Sequence, residues 1–338
     1  MPGLKQTDES PPGLVTVMSS ETDILKAELP ARWSSKQRLK NTLIYHVVRG
    51  LFALLEWFPL SLSRVAFKWL GRLGYHVANR ERNQAIAQLE QSLEDCEPSR
   101  ARSITRGMFA HFGELAAELT HVGELLEHHP DLRFTDEHRA LFEEALAEGN
   151  GVIAVTGHIG NWELLAQLIA REGFDLTSVA RPTYDPRLTK WVHQRRSAYG
   201  MRVLWRGERD SPKELLRVFR NNAILGLLID QDTRVHGEFV PFFGRLAYTP
   251  SAASSLSLRL KAPIIIGWLH RTPSGYQLHF ERHHFQAGDD READIRTLTG
   301  ELTKRLEAAI RHTPEQWVWL HQRWKTRPPE LHEAGQEE

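Results

Sequence analysis

The sequence predicts an α/β fold with a mixed, largely parallel sheet flanked by helices. Three observations point there. From Gly151 onward, short apolar runs alternate with helical stretches, the order expected of a layered sheet-and-helix unit. From Arg80 to about Ala147 the pattern is helical. Chemically distinct polar residues, His158, Arg181 and Asp230, each follow directly on an apolar run, and ligands of open α/β sheets gather at the carboxyl ends of strands.

Taken in order, NTLIYHVVRGLFALLEWFPL opens the periodic part of the chain. Leu43, Ile44, Val47, Val48, Leu51, Phe52, Leu54 and Leu55 fill one half of its helical wheel, with Arg49 and Glu56 opposite. A spanning helix needs about 18 or more apolar residues with few charges. Here His46, Arg49 and Glu56 interrupt the run and Pro59 stops it, so the pattern is interfacial. A second helix follows, with Arg64, Lys68 and Arg72 forming a basic stripe beside Val65, Phe67, Trp69, Leu70 and Leu73. Between Arg32 and Arg82 ten cations stand against two carboxylates. This amphipathic N-terminal segment therefore suits an anionic membrane surface as a membrane-associating element; two ordinary amphipathic helices packed on a core are the alternative.

Helical patterns continue through NQAIAQLEQSL, RSITRGMFAHFGELAAELTHV and HRALFEEALAEG, where Gly149 is a stop signal. The expected strands are Val152 to Thr156, Leu176 to Ala180, Arg202 to Trp205, Ile224 to Ile229, Pro263 to His270 and Gln277 to Arg282. The expected helices between and after them are Trp162 to Glu172, Arg187 to Tyr199, Pro212 to Asn221, Ser251 to Leu260 and Ala293 to His312. The chain then divides into a disordered tail (1–35), amphipathic basic membrane-associating helices (36–80), one α/β domain (81–330) and a short tail (331–338).

Composition narrows the function. With 338 residues, 41% hydrophobic and 25% charged, the chain can bury a sizeable core. A net charge of zero gives no reason to expect nucleic acid, and a single cysteine, Cys96, rules out an intrachain disulfide. There is no G-x-S-x-G elbow, phosphate-binding Walker loop, H-E-x-x-H or C-x-x-C pair. His128-His129 and His283-His284 lack the spacing of a zinc site.

The segment GHIGNWELL carries more chemistry. Asn161 is a good N-cap, Trp162-Glu163 opens a helix, and His158 stands in the turn before it. If the chain folds back, Glu163 reaches the imidazole, fixes its tautomer and leaves the other ring nitrogen to take a proton from a hydroxyl. That is the base-and-orienter half of a catalytic triad, with the nucleophile supplied by the substrate. A dipole-favoured Glu in the first helical turn beside a polar turn histidine is the competing reading.

The segments GHIGNWELLA, VARPTYDPRL, DQDTRVHGEFVPFFGRLAYTP and PEQWVWLHQRWKTRP, spread between about Leu43 and Pro328, occur in an order that resembles the late acyltransferases of lipid A biosynthesis. These are the lauroyl- and myristoyl-transferase group of the wider glycerolipid acyltransferase superfamily. The resemblance implies transfer of a fatty acyl chain from an acyl thioester, on acyl-carrier protein or CoA, to a hydroxyl of a lipid A precursor. It implies His158 as general base with Glu163 as partner, and Arg181 facing substrate phosphate. Asp230, Asp232 and Arg234 lie in its D-Q-D stretch and, with Asn161, are expected to bind substrate, the aspartates orienting the acceptor or holding Arg181; Phe239, Phe242 and Phe243 are expected to line an acyl pocket. Trp317, Trp319 and Trp324 would sit at the lipid interface. No metal or cofactor is implied. Acyl-carrier protein is the expected partner, docking on the Arg64, Lys68, Arg72 and Arg80 surface, with a lipid substrate and an anionic membrane surface beside it. The expected location is the cytoplasmic face of the bacterial inner membrane, attached peripherally. Arg49 and Glu56 depart from the cleaner hydrophobic anchor of many relatives. Three alternatives stay open: another glycolipid or lysolipid acceptor, such as a phosphatidylinositol mannoside; a thioesterase using the same pair; and a lipid-binding scaffold that has kept the fold.

Overall fold

A computed structural model describes residues 29, 30, 33–206 and 211–328. Among the described residues six helices come first: α1 (Ser35–Leu55), α2 (Leu60–Val77), α3 (Asn79–Ser92), α4 (Pro98–Thr120), α5 (Val122–His128) and α6 (Asp136–Ala147). Their starts follow local chemistry. Ser34 and Gln37 close a capping box on α1, Pro98 opens α4, and Thr135 caps α6. The tails expected at 1–35 and 331–338 lie outside the described residues apart from the stretch reaching Trp33 and Ser34, where buried Trp33 stacks on Tyr184 at 5.3 Å.

The second half alternates as expected: β1 (Val152–Thr156), α7 (Trp162–Arg171), β2 (Leu176–Ala180), α8 (Pro186–Ser197), β3 (Arg202–Trp205), α9 (Ser211–Arg220) and β4 (Ile224–Leu228). Then come β5 (Gly237–Phe242), β6 (Arg245–Pro250), α10 (Ala252–Leu260), β7 (Ile264–Arg271), β8 (Tyr276–His283) and α11 (Arg291–His312). The main sheet has six strands in the order β3-β2-β4-β1-β7-β8, parallel except for the β7–β8 pair. The sheet is therefore mixed and largely parallel, with β1 and β4 side by side at its centre.

Neighbouring residues of β1 feed opposite layers, as a two-residue period requires. Val152 packs with Leu164, Leu168 and Leu176 on the α7 side, while Ile153 and Val155 pack with Leu302, Leu306 and Trp317 on the α11 side. Both layers are closed to solvent, which is why β1 and β4 are apolar almost throughout.

The segment FVPFFG, expected as the lining of an acyl pocket, instead runs through a hairpin. Its two-residue loop, Phe243-Gly244, has φ of 51° and 71°, the left-handed pair of a type I′ turn. A phenylalanine at positive φ is unusual. It is pinned by its own amide, which donates to Glu307 at 2.6 Å, and by contacts to Trp319 and Arg311.

Helix α2 lies directly on α4, and small residues set the separation. A Cβ on Gly113 would sit 2.0 Å from the Phe67 carbonyl oxygen, and one on Gly71 would sit 2.1 Å from that of Phe109. The polar edge of α1 turns to α8, where Arg49 and Phe52 meet Trp191 and Glu56 pairs with Arg195. The apolar side is left uncovered: Leu43, Val47, Val65, Trp69 and Leu73 are exposed and Trp57 is 88% exposed. Among the described residues no helix is long and apolar enough to cross a membrane.

Gly113→Ala should therefore lower stability by roughly 1–3 kcal/mol, since the added methyl must force two backbones apart. A thermal melt reads this directly, and an unchanged midpoint would mean that the crossing has room to spare.

Candidate functional site

The turn from Gly157 to Asn161 connects β1 to α7 at the carboxyl edge of the sheet. It is held from several directions. The Gly160 amide donates to the Gln316 carbonyl at 2.8 Å, the Asn161 amide donates to that of Leu269 at 2.9 Å, and His111 Nε2 donates to the Gly160 carbonyl at 3.1 Å. Only glycine fits at 160. Its φ is +57°, and a Cβ there would fall 1.9 Å from the Leu269 oxygen.

His158 rests on a carboxylate, but not on Glu163. The imidazole Nδ1 donates to Asp230 Oδ1 at 2.9 Å, while the His158 amide and Trp317 Nε1 both donate to Asp230 Oδ2 at 2.7 Å. Asp230 is 1% exposed. Burial pushes its carboxyl up, yet His158 and these donors hold it below the usual carboxylate range. With Nδ1–H committed to Asp230, the neutral ring carries its lone pair on Nε2, which makes no protein hydrogen bond among the described residues; the side chain is 25% exposed. Chemically, an imidazole held in this way can take a proton from a hydroxyl at Nε2. Trp162 covers one flank of the ring at 5.0 Å.

Several expectations are corrected by this geometry. Glu163 sits one helical turn away with its carboxylate taken by Arg196, Nε to Oε2 at 2.8 Å, so its helix start points it toward α8 and not back to the imidazole. Asp232 does not pair with Arg181: it is buried and accepts from the Thr326 amide at 2.8 Å and from its hydroxyl at 3.1 Å. Asp230 likewise is spent on His158 and Trp317, not on Arg181. Asn161 is an N-cap, accepting from the Leu164 amide at 2.9 Å, and its Nδ2 donates to buried Glu118 at 2.7 Å, which leaves it no free end for substrate. Phe242 and Phe243 are buried against Trp317 and Trp319 as core, while half-buried Phe239 lies on Tyr248. Trp317 and Trp319 are fully buried, so they are packing groups and not an interfacial belt. Arg64 and Lys68 turn inward to Glu118 and Glu114 at 2.9 and 3.2 Å.

Arg181 and Arg234 are where the sequence puts them, exposed at the carboxyl edge beyond β2 and β4. Arg206, which follows β3, joins them. Its Nη2 reaches the Arg234 carbonyl at 3.5 Å, and burial followed by the nearby Arg181 charge depresses its pKa. The rule that flagged Arg181, a polar residue immediately after a strand, would have found Arg206. Glu118 had no such signal. It is a buried carboxylate in α4 that accepts from Arg64, from Arg271 Nε at 2.8 Å and from Asn161. Burial raises its carboxyl, but Arg271 and Arg64 outweigh this and keep it ionised. Among the described residues no group of three His, Cys, Asp or Glu is placed to hold a metal ion.

Comparison with known proteins gives the family. The model of the family described as bacterial lipid A biosynthesis acyltransferase matches residues 32–326, nearly the whole described chain. The chain belongs to that family. A phosphatidylinositol mannoside acyltransferase of Mycobacterium tuberculosis (strain CDC 1551 / Oshkosh) is 26% identical over 186 residues, 54% of this chain and 57% of that protein. The same protein of strain ATCC 25618 / H37Rv matches equally. A lipid A biosynthesis acyltransferase of Haemophilus influenzae is 24% identical over 283 residues, 80% of this chain and 86% of that protein. The match thus spans little more than half the length of the mycobacterial relatives.

Buried His111, held neutral by burial and by Arg271, has its pKa lowered to about 3. Because the unfolded chain takes that proton first, stability should fall as pH drops below about 6.5 and go on falling toward about 3, by up to roughly 1.4 kcal/mol per pH unit. His111→Gln should flatten that part of a stability-against-pH curve; a variant with an unaltered slope would remove His111 as its source.

Proposed function

We propose that this protein is an O-acyltransferase that moves a fatty acyl chain from an acyl thioester to a hydroxyl of a lipid A precursor, with His158 as general base and Asp230 as the residue that orients it. The observation that carries the reading is the His158 imidazole, tautomer fixed by a buried carboxylate and second nitrogen left unbonded, in a chain of the lipid A acyltransferase family. His158 Nε2 takes the acceptor hydroxyl proton, and the oxygen attacks the thioester carbonyl. The tetrahedral intermediate expels the thiolate, which receives the proton back from the imidazolium. Amides at the start of α7 are the donors best positioned for the developing oxyanion.

The acceptor's phosphate is assigned to Arg181, Arg206 and Arg234, whose forks suit bidentate contact and which lie on the same sheet edge. Acyl-carrier protein is the proposed donor carrier, with acyl-CoA as the alternative. The uncovered apolar sides of α1 and α2 support peripheral attachment to a membrane, proposed as the cytoplasmic face of the inner membrane. A second acceptor class, mannosylated phosphoinositides, is favoured by the likeness to the mycobacterial acyltransferases.

Purified enzyme, acyl-carrier-protein thioester and under-acylated lipid A, read by mass spectrometry, test the activity; no transfer to that lipid but transfer to a phosphatidylinositol mannoside would select the second acceptor. In the same assay Asp230→Asn should cut kcat by roughly a thousandfold or more with KM little changed, as loss of the tautomer-fixing carboxylate does in triads. Glu163→Gln should mainly lower stability and leave the pH profile of kcat in place. If the two variants behaved the other way round, the orienting role would return to Glu163.

A further inference from the structure

A cavity of about 590 Å³ opens between α2, α4 and the turn that joins β7 to β8, and His158 does not line it. We propose that it binds the phosphate of an anionic lipid headgroup, separately from the acyl acceptor. Its wall carries five cations against the carboxylates Glu114 and Glu315. Arg64, Lys68 and Arg271 are tied to Glu114 and Glu118, whereas Arg72 and Arg106 line the cavity with no carboxylate partner among the described residues. Those two guanidiniums lie only on aromatic faces, Trp69 and Tyr75. Arg271 adds a more pointed sign: Nε and Nη1 are bonded, but Nη2 is buried and has no partner. An unsatisfied buried donor costs roughly 1–3 kcal/mol, a cost that a phosphate oxygen relieves. Thr272 and Ser274 bring hydroxyls to the same wall.

The occupant is identified by what adjoins the cavity. Arg64, Lys68 and Arg72 run up α2 at four-residue intervals, and Val65, Trp69 and Leu73 run up it one residue further round, all three exposed. A phosphate held by the basic stripe therefore has an uncovered apolar stripe beside it, about 100° round the same helix, on which acyl chains can lie. A free anion would use the first stripe alone; a lipid uses both. The inference rests on the reading of α1 and α2 as membrane-facing.

The test titrates the full chain with water-soluble dihexanoyl phosphatidylglycerol, with the corresponding phosphatidylcholine and with inorganic phosphate, following the melting temperature. Phosphatidylglycerol should raise it saturably, and the apparent affinity should fall at least tenfold in the Arg72→Gln/Arg106→Gln double variant. Ser274→Glu, on an exposed turn, should do the same without disturbing the helix pair. Equal stabilisation by inorganic phosphate would make the cavity a free-anion site and overturn the proposal. Unchanged affinity in both variants would place the lipid elsewhere and overturn it too, as would displacement of the lipid by holo-acyl-carrier protein at stoichiometric concentration, which would give the cavity to the donor. Sedimentation with neutral phosphatidylcholine vesicles reports on the membrane-facing helices alone, so that reading fails or stands apart from the cavity.

Discussion

A carboxylate with no exposed surface has to be satisfied where it sits, and Asp230 is satisfied by three donors drawn from distant parts of the chain. That one requirement fixes much else. The His158 turn must approach closely enough to present both its amide and its ring, which leaves residue 157 no room: a Cβ there would lie 3.0 Å from the Asp230 carboxyl carbon. The indole of Trp317 must reach the same oxygen, so the segment after α11 is drawn under the sheet edge. The aromatic residues of the β5–β6 hairpin then pack on Trp317 from the other side. The His158 side chain is positioned by the core, not by the loop that carries it.

A second buried carboxylate, Glu118, does for the other half of the molecule what Asp230 does for the site. It gathers Arg64 from α2, Arg271 from β7 and the cap of α7, Asn161, around one pair of oxygens. Removing any single partner would leave charge or a donor unmatched at a buried carboxylate, so such networks are rigid when complete. Helix α2, whose outer side is apolar and exposed, is thereby joined through Glu118 to the residue that caps α7. The proposed membrane contact and the proposed base share a frame.

The basic character of the N-terminal segment is divided between two uses. Arg64 and Lys68 neutralise buried or half-buried glutamates, and what faces outward on α1 and α2 is largely apolar. Counting charges along a helix therefore overstates how much of it meets an anionic surface. Among the described residues, Arg72 and Arg106 by the cavity and Arg181, Arg206 and Arg234 at the sheet edge make no ion pair with a carboxylate and so keep charge to spare for a ligand.

Period and punctuation determined the elements. Apolar runs bounded by glycine and polar caps marked all six strands of the main sheet to within a residue or so, and the Asn161 cap and the start of α7 were legible because they depend on neighbours a few positions away. His158 was legible for the same reason, as a polar residue at the end of a buried strand, and so was the family. Contacts across the chain were decided only by tertiary structure. The partner of His158 lies 72 residues on and not five, because α7 leaves the turn with Glu163 aimed at Arg196 while β4, beside β1 in the sheet, delivers Asp230 to the imidazole. The FVPFFG run read as a lining because its apolarity says buried without saying against what. Trp317 and Trp319 read as interfacial for the converse reason, since an aromatic beside basic residues looks the same in sequence whether it meets lipid or Asp230.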